Sequence, residues 1–323
     1  MGAGRVWARH GRSRWSRVTA IRAVCVAVAT YRRPDGLDAL LSSIEQATAG
    51  VPVRVVVVDN DPVGSAKFVA DRHAIVARYE IEATPGIAAA RNRCLELVEV
   101  HEDAIVFVDD DERVSTEWLA ALLQAARDYG ADIVGGPVVS ELPDGVGPWA
   151  RLHQRRIEPD GSRSGLPATN NALVRTSLLR KAGAPKFDPS FSVSGGSDTD
   201  FFWRLKEDHG AHIVWSDTAL VYEDVPPERT TLRWLCRRSY RNGAIIARVE
   251  LRRRGRVLVL ARGVARCLRA ILRVLGSLIR MQDPWRPLAV DLPRGLGVCG
   301  ACFGVAVVAY TRQSGTNEAT SDD

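Results

Sequence analysis

Apolar and polar positions follow two rhythms along this chain, and the changes of rhythm mark its elements. Val55-Val56-Val57-Val58 and Ala104-Ile105-Val106-Phe107-Val108 are unbroken apolar runs, which predict strands buried on both faces. After Pro34, which suits a first helical turn, Leu37, Leu40, Leu41 and Ile44 recur at helical spacing. Val76 to Ile81 reads as a strand, Pro85-Gly86 breaks the chain, and Ile87 to Val100 reads as a helix. Strands and helices thus alternate from about Ala23 to Val139, the order of a doubly wound parallel sheet.

Both apolar runs end abruptly in acid. Val58 is followed by Asp59-Asn60-Asp61, and Val108 by Asp109-Asp110-Asp111-Glu112. Open α/β sheets bind ligands at the carboxyl edge of their strands. Adjacent carboxylates repel, and a hard cation such as Mg2+ or Mn2+, shared with substrate phosphates, holds several in one place. The four acids equally suit a solvated turn into a helix starting near Ser115 or Thr116. A third acidic locus, Gly195-Gly196-Ser197-Asp198-Thr199-Asp200, precedes a predicted helix containing Trp203 and Arg204. There Asp198 would face a cleft as proton acceptor, oriented by Asp200 or Arg204, unless Ser197 or Asp198 simply caps the helix.

Composition narrows the class. With 323 residues the chain can hold a full core. No apolar stretch reaches the roughly 18–20 residues of a spanning helix. Val18 to Val28 is broken by Arg22 and lacks the core of a signal peptide. The six cysteines are scattered, and Cys299 and Cys302 lack a second pair or histidines, so they read as small buried hydrophobes in a cytosolic protein.

The net charge of +6 hides a segregation. Residues 1–34 hold eight arginines and no acid; residues 35–228 hold 18 basic and 32 acidic side chains; residues 229–294 hold 17 arginines against Glu250, Asp283 and Asp291. An acidic body with a basic C-terminal segment predicts an anionic partner at that end. In that segment Arg262, Arg266, Arg269, Arg273 and Arg280 fall within roughly 60° of one another on a helix, opposite Leu260, Val264, Ile271, Leu275 and Leu278. Such a helix either lies in an anionic membrane interface or packs its apolar face on the protein with its arginines in water. No nucleic-acid motif accompanies the charge, so nucleic acid is not an expected partner.

The ordered set Ala29-Thr30-Tyr31-Arg32-Arg33-Pro34, Asp59, Gly86 with Ala90-Arg91-Asn92, Asp109 to Asp111, and Gly195-Gly196-Ser197-Asp198 resembles family 2 glycosyltransferases, over about Ala23 to Gly243. Among them it most resembles bacterial enzymes of exopolysaccharide assembly. The resemblance implies a GT-A fold, Rossmann-like with a mostly parallel central sheet flanked by helices, here with a C-terminal helical extension. It implies inverting transfer from a nucleoside-diphosphate sugar, UDP-linked by preference, to a glycan or polyprenyl-diphosphate-linked acceptor. Thr30 and Asp59 would contact base and ribose, Arg91 the diphosphate, and Asp109 and Asp111 ribose and metal (Mn2+ or Mg2+), with Arg33, Asn92 and Asp110 beside the nucleotide sugar. Asp198 would be the base, with Asp200 beside it.

Two departures stand out. Ser197 replaces a common Glu before the base, and Val221-Tyr222-Glu223-Asp224 stands where many relatives carry a metal-binding His, so Glu223 is the candidate third ligand. Acceptor recognition is expected in the irregular Trp149 to Leu166 stretch, at Asn170 and Asn171, at Trp203 and Arg204, and at the arginines after Thr231, Arg237 among them. These expectations divide the chain into a basic, disordered arm (1–22), a catalytic domain (23–228, with its nucleotide-sugar half at 23–139 and acceptor half at 140–228), an arginine-rich helical segment (229–311) and a polar tail (312–323). The whole would sit in the cytoplasm, peripheral at the inner membrane face. A sugar nucleotidyltransferase should carry a glycine-rich loop after its first strand, which Thr30-Tyr31-Arg32-Arg33 is not. An Asp-x-Asp phosphohydrolase should carry its motif after the first strand, with Thr or Val where Arg113 stands. A non-enzymatic membrane adaptor would leave all three acidic loci unexplained.

Overall fold

The structure, a computed structural model, describes residues 20–47, 50–154, 157–163, 165–191 and 195–305. The basic arm up to residue 19 and the polar tail lie outside these residues. In chain order the elements are β1 (Val24–Thr30), α1 (Pro34–Gln46), β2 (Val53–Asp59), α2 (Lys67–Ala70), β3 (Val76–Ile81), α3 (Ile87–Glu96), β4 (Ala104–Asp109), β5 (Glu112–Val114), α4 (Trp118–Asp128), β6 (Ile133–Gly135), β7 (Val138–Glu141), β8 (Asn171–Arg175), α5 (Thr176–Lys181), α6 (Ser197–His209), β9 (Ile213–Trp215), β10 (Val221–Asp224), α7 (Leu232–Leu251), α8 (Arg256–Ile279) and α9 (Leu292–Cys302).

Seven strands form one sheet in the order β3-β2-β1-β4-β8-β6-β9, parallel except for β8, which runs antiparallel to both neighbours. The continuous apolar runs are explained by burial on both faces. Val24, Val26, Val55, Val57, Ala104 and Val106 pack with Leu37, Leu40, Leu41 and Ile44 of α1 and Trp118, Leu119 and Leu122 of α4. The alternate residues Cys25, Val56, Val58, Ile105 and Phe107 pack with α3, α5 and Phe201, Phe202 and Leu205 of α6. Register then aligns the strand ends. Thr30 pairs with Asp59 and Ala29 with Asp109, so β1, β2 and β4 end along one edge.

A second, three-stranded sheet, β5-β10-β7, was not foreseen. The four acids do not run into a helix: Glu112 already opens β5, pairing with Glu223 of β10, and α4 starts only at Trp118. Helix α3 stops at Glu96 rather than Val100, with Leu97 capping it.

Helices α7, α8 and α9 pack together through small residues. A Cβ on Gly263 of α8 would come within 2.8 Å of Cys299 Sγ, and one on Gly295 of α9 within 2.6 Å of Cys267 Sγ. Helix α8 therefore docks along the narrow strip of Val259, Gly263 and Ala270. Both of its broad stripes stay open to solvent, including Leu272 (67% exposed) and Ile279 (83%). Of the two alternatives for the apolar stripe, packing on the protein holds for Leu260 alone of its five residues, because close approach needs the small residues between the stripes. No helix among the described residues is long and apolar enough to cross a membrane.

Candidate active site

The end of β4 sorts its acids by direction. Asp110 points inward: Thr30 Oγ1 donates to it at 2.8 Å and Arg33 Nη1 at 3.0 Å, and it is 5% exposed. Burial pushes its carboxyl up to about 6, against the pull of Arg33 and Thr30. Asp109 and Asp111 point outward, their side chains 37% and 43% exposed. Arg91 Nη2 reaches Asp109 at 3.1 Å and Arg33 Nη1 reaches Asp111 at 2.8 Å. Glu112 turns in again, accepting from Asn170 Nδ2 at 2.9 Å and from the Asp109 amide at 3.3 Å. Burial, then the charge of Asp109, raises the Glu112 carboxyl well above its ordinary value. Helix α1 closes on this turn because Gly36 lacks a side chain; a Cβ there would stand 2.6 Å from the Asp110 carbonyl oxygen.

The third acidic locus converges on the same place. Gly196 holds φ at +99°, a conformation other residues rarely adopt, and starts α6 so that Asp198 falls in its first turn. Asp198 Oδ1 accepts from the Thr199 amide at 2.7 Å, while Oδ2 has no hydrogen-bond partner among the described residues. The pair Asp111 and Asp198 stands close enough to Asp109 to raise its carboxyl, after burial and against Arg91. Asp198 thus joins Asp109 and Asp111, from a distant part of the chain, in one cleft with Arg33 and Arg91.

Several expected site residues are engaged elsewhere. Asp59 is fully buried and accepts from the amides of Asp61 and Ala66 and from Tyr79 Oη at 2.8 Å, so it fastens the loop after β2. Asn92 clamps the backbone of Phe187 through both amide atoms. Asn171 is buried, bonding Trp118 Nε1 and the carbonyls of Pro137 and Ala219. Asp200 lies on the buried side of α6, held by Arg204 Nε at 2.8 Å and Arg252 Nη1 at 3.2 Å. Trp203 lies beneath the guanidinium of Arg253, 4.6 Å from its ring centroid. Arg237 is exposed on α7. Glu223 accepts from Ser140 Oγ at 2.5 Å, and among the described residues no three His, Cys, Asp or Glu side chains gather as a metal group.

Comparison with known proteins decides the class. The family profile described as Glycosyl transferase family 2 matches residues 25–184. The Succinoglycan biosynthesis protein ExoM of Rhizobium meliloti (strain 1021) is 35% identical over 240 residues, 68% of this chain and 72% of that one. The chain belongs to glycosyl transferase family 2. The fold is shared with the mannosyltransferase PcManGT from Pyrobaculum calidifontis, solved in complex with GDP-Man and Mn2+ (TM-score 0.59, 17% identity, 91% of each chain). It is shared also with S. aureus TarS 1-349 (TM-score 0.50, 18% identity, 70% of this chain and 69% of that one). The protein is a glycosyltransferase of GT-A fold.

The glycosyltransferase carries contacts that sequence reasoning missed. Ile245 of α7 meets Gly196 so closely that a Cβ on the glycine would collide with it. His153 stacks on Trp234 at 5.1 Å, bonds the Arg229 carbonyl, and faces Arg238. Burial holds its imidazole below the ordinary value. Trp149 donates to the Thr230 carbonyl at 2.9 Å and meets Trp285 edge-on at 5.4 Å, so this irregular stretch is tied to the C-terminal helices. Only Glu112 had a local signal: it and Val114 face inward across the half-buried Arg113, the period of a strand.

Proposed function

We propose that this glycosyltransferase moves a sugar, with inversion, from a nucleoside-diphosphate sugar to a hydroxyl of a glycan or polyprenyl-diphosphate-linked acceptor during exopolysaccharide assembly at the inner face of the cell membrane. The observation that carries the reading is the shared cleft of Asp109, Asp111 and Asp198 at the carboxyl edge of β1 and β4. The succinoglycan relative supports the pathway class, and the mannosyltransferase bound to GDP-Man and Mn2+ supports the donor and metal classes.

The residues present suit a divalent cation. Asp109 and Asp111 offer hard oxygen donors to the cleft while Asp110 is turned away, and Mg2+ or Mn2+ commonly takes one or two carboxylates plus substrate phosphates. Such a cation would neutralise charge on the leaving diphosphate as a Lewis acid. The chain supplies the remainder. Arg33 and Arg91, held by Asp111 and Asp109, are the guanidinia placed to meet phosphate oxygens, and Asp109 and Asp111 are the carboxylates that would hold the cation. Asp198 Oδ2 takes the proton of the acceptor hydroxyl. The acceptor oxygen forms its bond to the anomeric carbon on one face while the carbon–oxygen bond to phosphate breaks on the other, with its electron pair going to the diphosphate. A single base and one displacement give inversion.

Incubation with a panel of nucleotide sugars and Mn2+ should release nucleoside diphosphate with one donor, and a chelator should stop it. Release of pyrophosphate or inorganic phosphate instead would reject the reading.

Membrane attachment is assigned to α8. Val264, Leu268, Ile271, Leu272, Leu275 and Ile279 fall within roughly 100° of one another and are all exposed. A segment of such positive charge (residues 229–294) is suited to an anionic lipid surface, which makes lipid the occupant of this stripe. The arginine stripe is partly engaged within the protein, Arg262 with Glu250 and Arg273 with Asp291, so the apolar stripe and not the arginines enters the bilayer. Changing Leu268, Leu272 and Leu275 to Gln should release the protein from anionic vesicles in flotation. Unchanged flotation would rule out this face.

A further inference from the structure

The arginines of α8 have a second surface. Arg266, Arg269 and Arg273, on successive turns, line a cavity of about 210 Å³ together with Ala270 and, from the facing segment, Asp291 and Arg294. Four guanidinia surround one carboxylate. Asp291 is already committed to Arg273 Nη1 at 3.1 Å, and Arg269 Nε donates to the Ala265 carbonyl at 3.1 Å. Arg294 Nε is closed off from solvent and has no hydrogen-bond partner among the described residues. Burial, with Arg266 and Arg286 nearby, holds the Arg294 guanidinium below its ordinary value, the mark of positive charge left under-compensated. A buried donor without a partner is disfavoured, and gathered like charges repel; one oxyanion relieves both.

We propose that this cavity between α8 and the start of α9 is a binding site for a phosphate group. Tetrahedral phosphate presents several acceptor oxygens and up to two negative charges, and planar guanidinium forks are the side chains best shaped to meet it. The volume is below the roughly 300–1,000 Å³ of sites for nucleotides and drug-sized ligands, so the cavity takes a phosphate head and not a nucleotide sugar. The site is separate from the carboxylate cleft. Its nearest link is α7, whose Gly243 backbone presses on the Arg294 carbonyl while Ile245 covers Gly196. The phosphate comes either from a lipid headgroup or from solution.

Thermal unfolding of the full chain with sodium phosphate against sodium chloride at matched ionic strength tests the soluble source. Flotation with phosphatidylcholine vesicles, with and without phosphatidic acid, tests the lipid source. Each is run on the wild type, on Arg266→Gln/Arg269→Gln, and on Arg280→Gln, an arginine of the same stripe outside the cavity. Phosphate should raise the Tm of the wild type and of Arg280→Gln, with affinity in the double variant weaker by about ten-fold or more, as for loss of charge-assisted hydrogen bonds. Retention by phosphatidic acid that is lost in the double variant alone supports the site with lipid as the source, whether or not free phosphate acts. Any phosphate effect at the donor cleft remains in the double variant and is thereby subtracted. Should that variant fail to fold, Arg273→Gln, at an exposed position, gives the same contrast. Equal responses of wild type and cavity variants in both arms would overturn the site while leaving the transferase reading untouched.

Discussion

Replacing Asp198 by Asn is expected to cut turnover by about two orders of magnitude or more, the usual contribution of a positioned base, while donor binding persists. The amide keeps an oxygen for the Thr199 N–H but cannot take a proton at the position of Oδ2. Asp200→Asn is the informative partner. Its carboxylate sits between Arg204 and Arg252, so its loss should lower stability, on the order of 2 kcal/mol given that Arg252 reaches solvent, with little effect on kcat at a temperature where the protein is folded. Turnover, donor affinity and Tm measured on both variants separate the roles. An active Asp198→Asn beside an inactive, stable Asp200→Asn would move the base two residues along.

Asp111→Ala should abolish transfer and weaken donor binding in Mn2+, with the fold intact. Its side chain is 43% exposed, and its partner Arg33 keeps the contact to Asp110. What is lost is one hard oxygen donor to the cation and, through it, the counter-charge for the diphosphate. Donor titration with and without Mn2+, together with product release, reads both effects. Full activity of this variant in the presence of a chelator would remove the cation from the reaction.

The centre of the sheet was legible because its strands are buried on both faces, which leaves an unbroken apolar signature: β2 and β4 stand where their runs predict, and the Leu37 to Ile44 stripe is the buried side of α1. The edge strand β3, whose residues stay half-buried or exposed, stands at Val76 to Ile81 as read. The small sheet was not legible. It joins residues 112–114, 138–141 and 221–224, and a three-residue strand made by pairing across more than a hundred positions has little local pattern. Within the site, sequence showed which residues were acidic but not which way they point. Asp109 and Asp111 face the cleft, whereas Asp59 and Asp200 sit in hydrogen-bond and ion-pair networks built by Tyr79, Arg204 and Arg252, residues 4 to 52 positions away. A carboxylate after a buried strand has two destinations, ligand or loop anchor. Tertiary partners choose between them.

The contact of Ile245 with Gly196, together with that of Arg252 with Asp200, bears on how this chain can be divided. The change from acidic to basic composition near residue 228 resembles a seam between cassettes. A protein cut there would lose the roof over the turn that presents Asp198 and one of the two cations that neutralise Asp200. Grafting α7–α9 from a relative would bring a different wall to that turn, so inheritance of this enzyme is all of one piece: the helical segment and the base must be exchanged together or not at all.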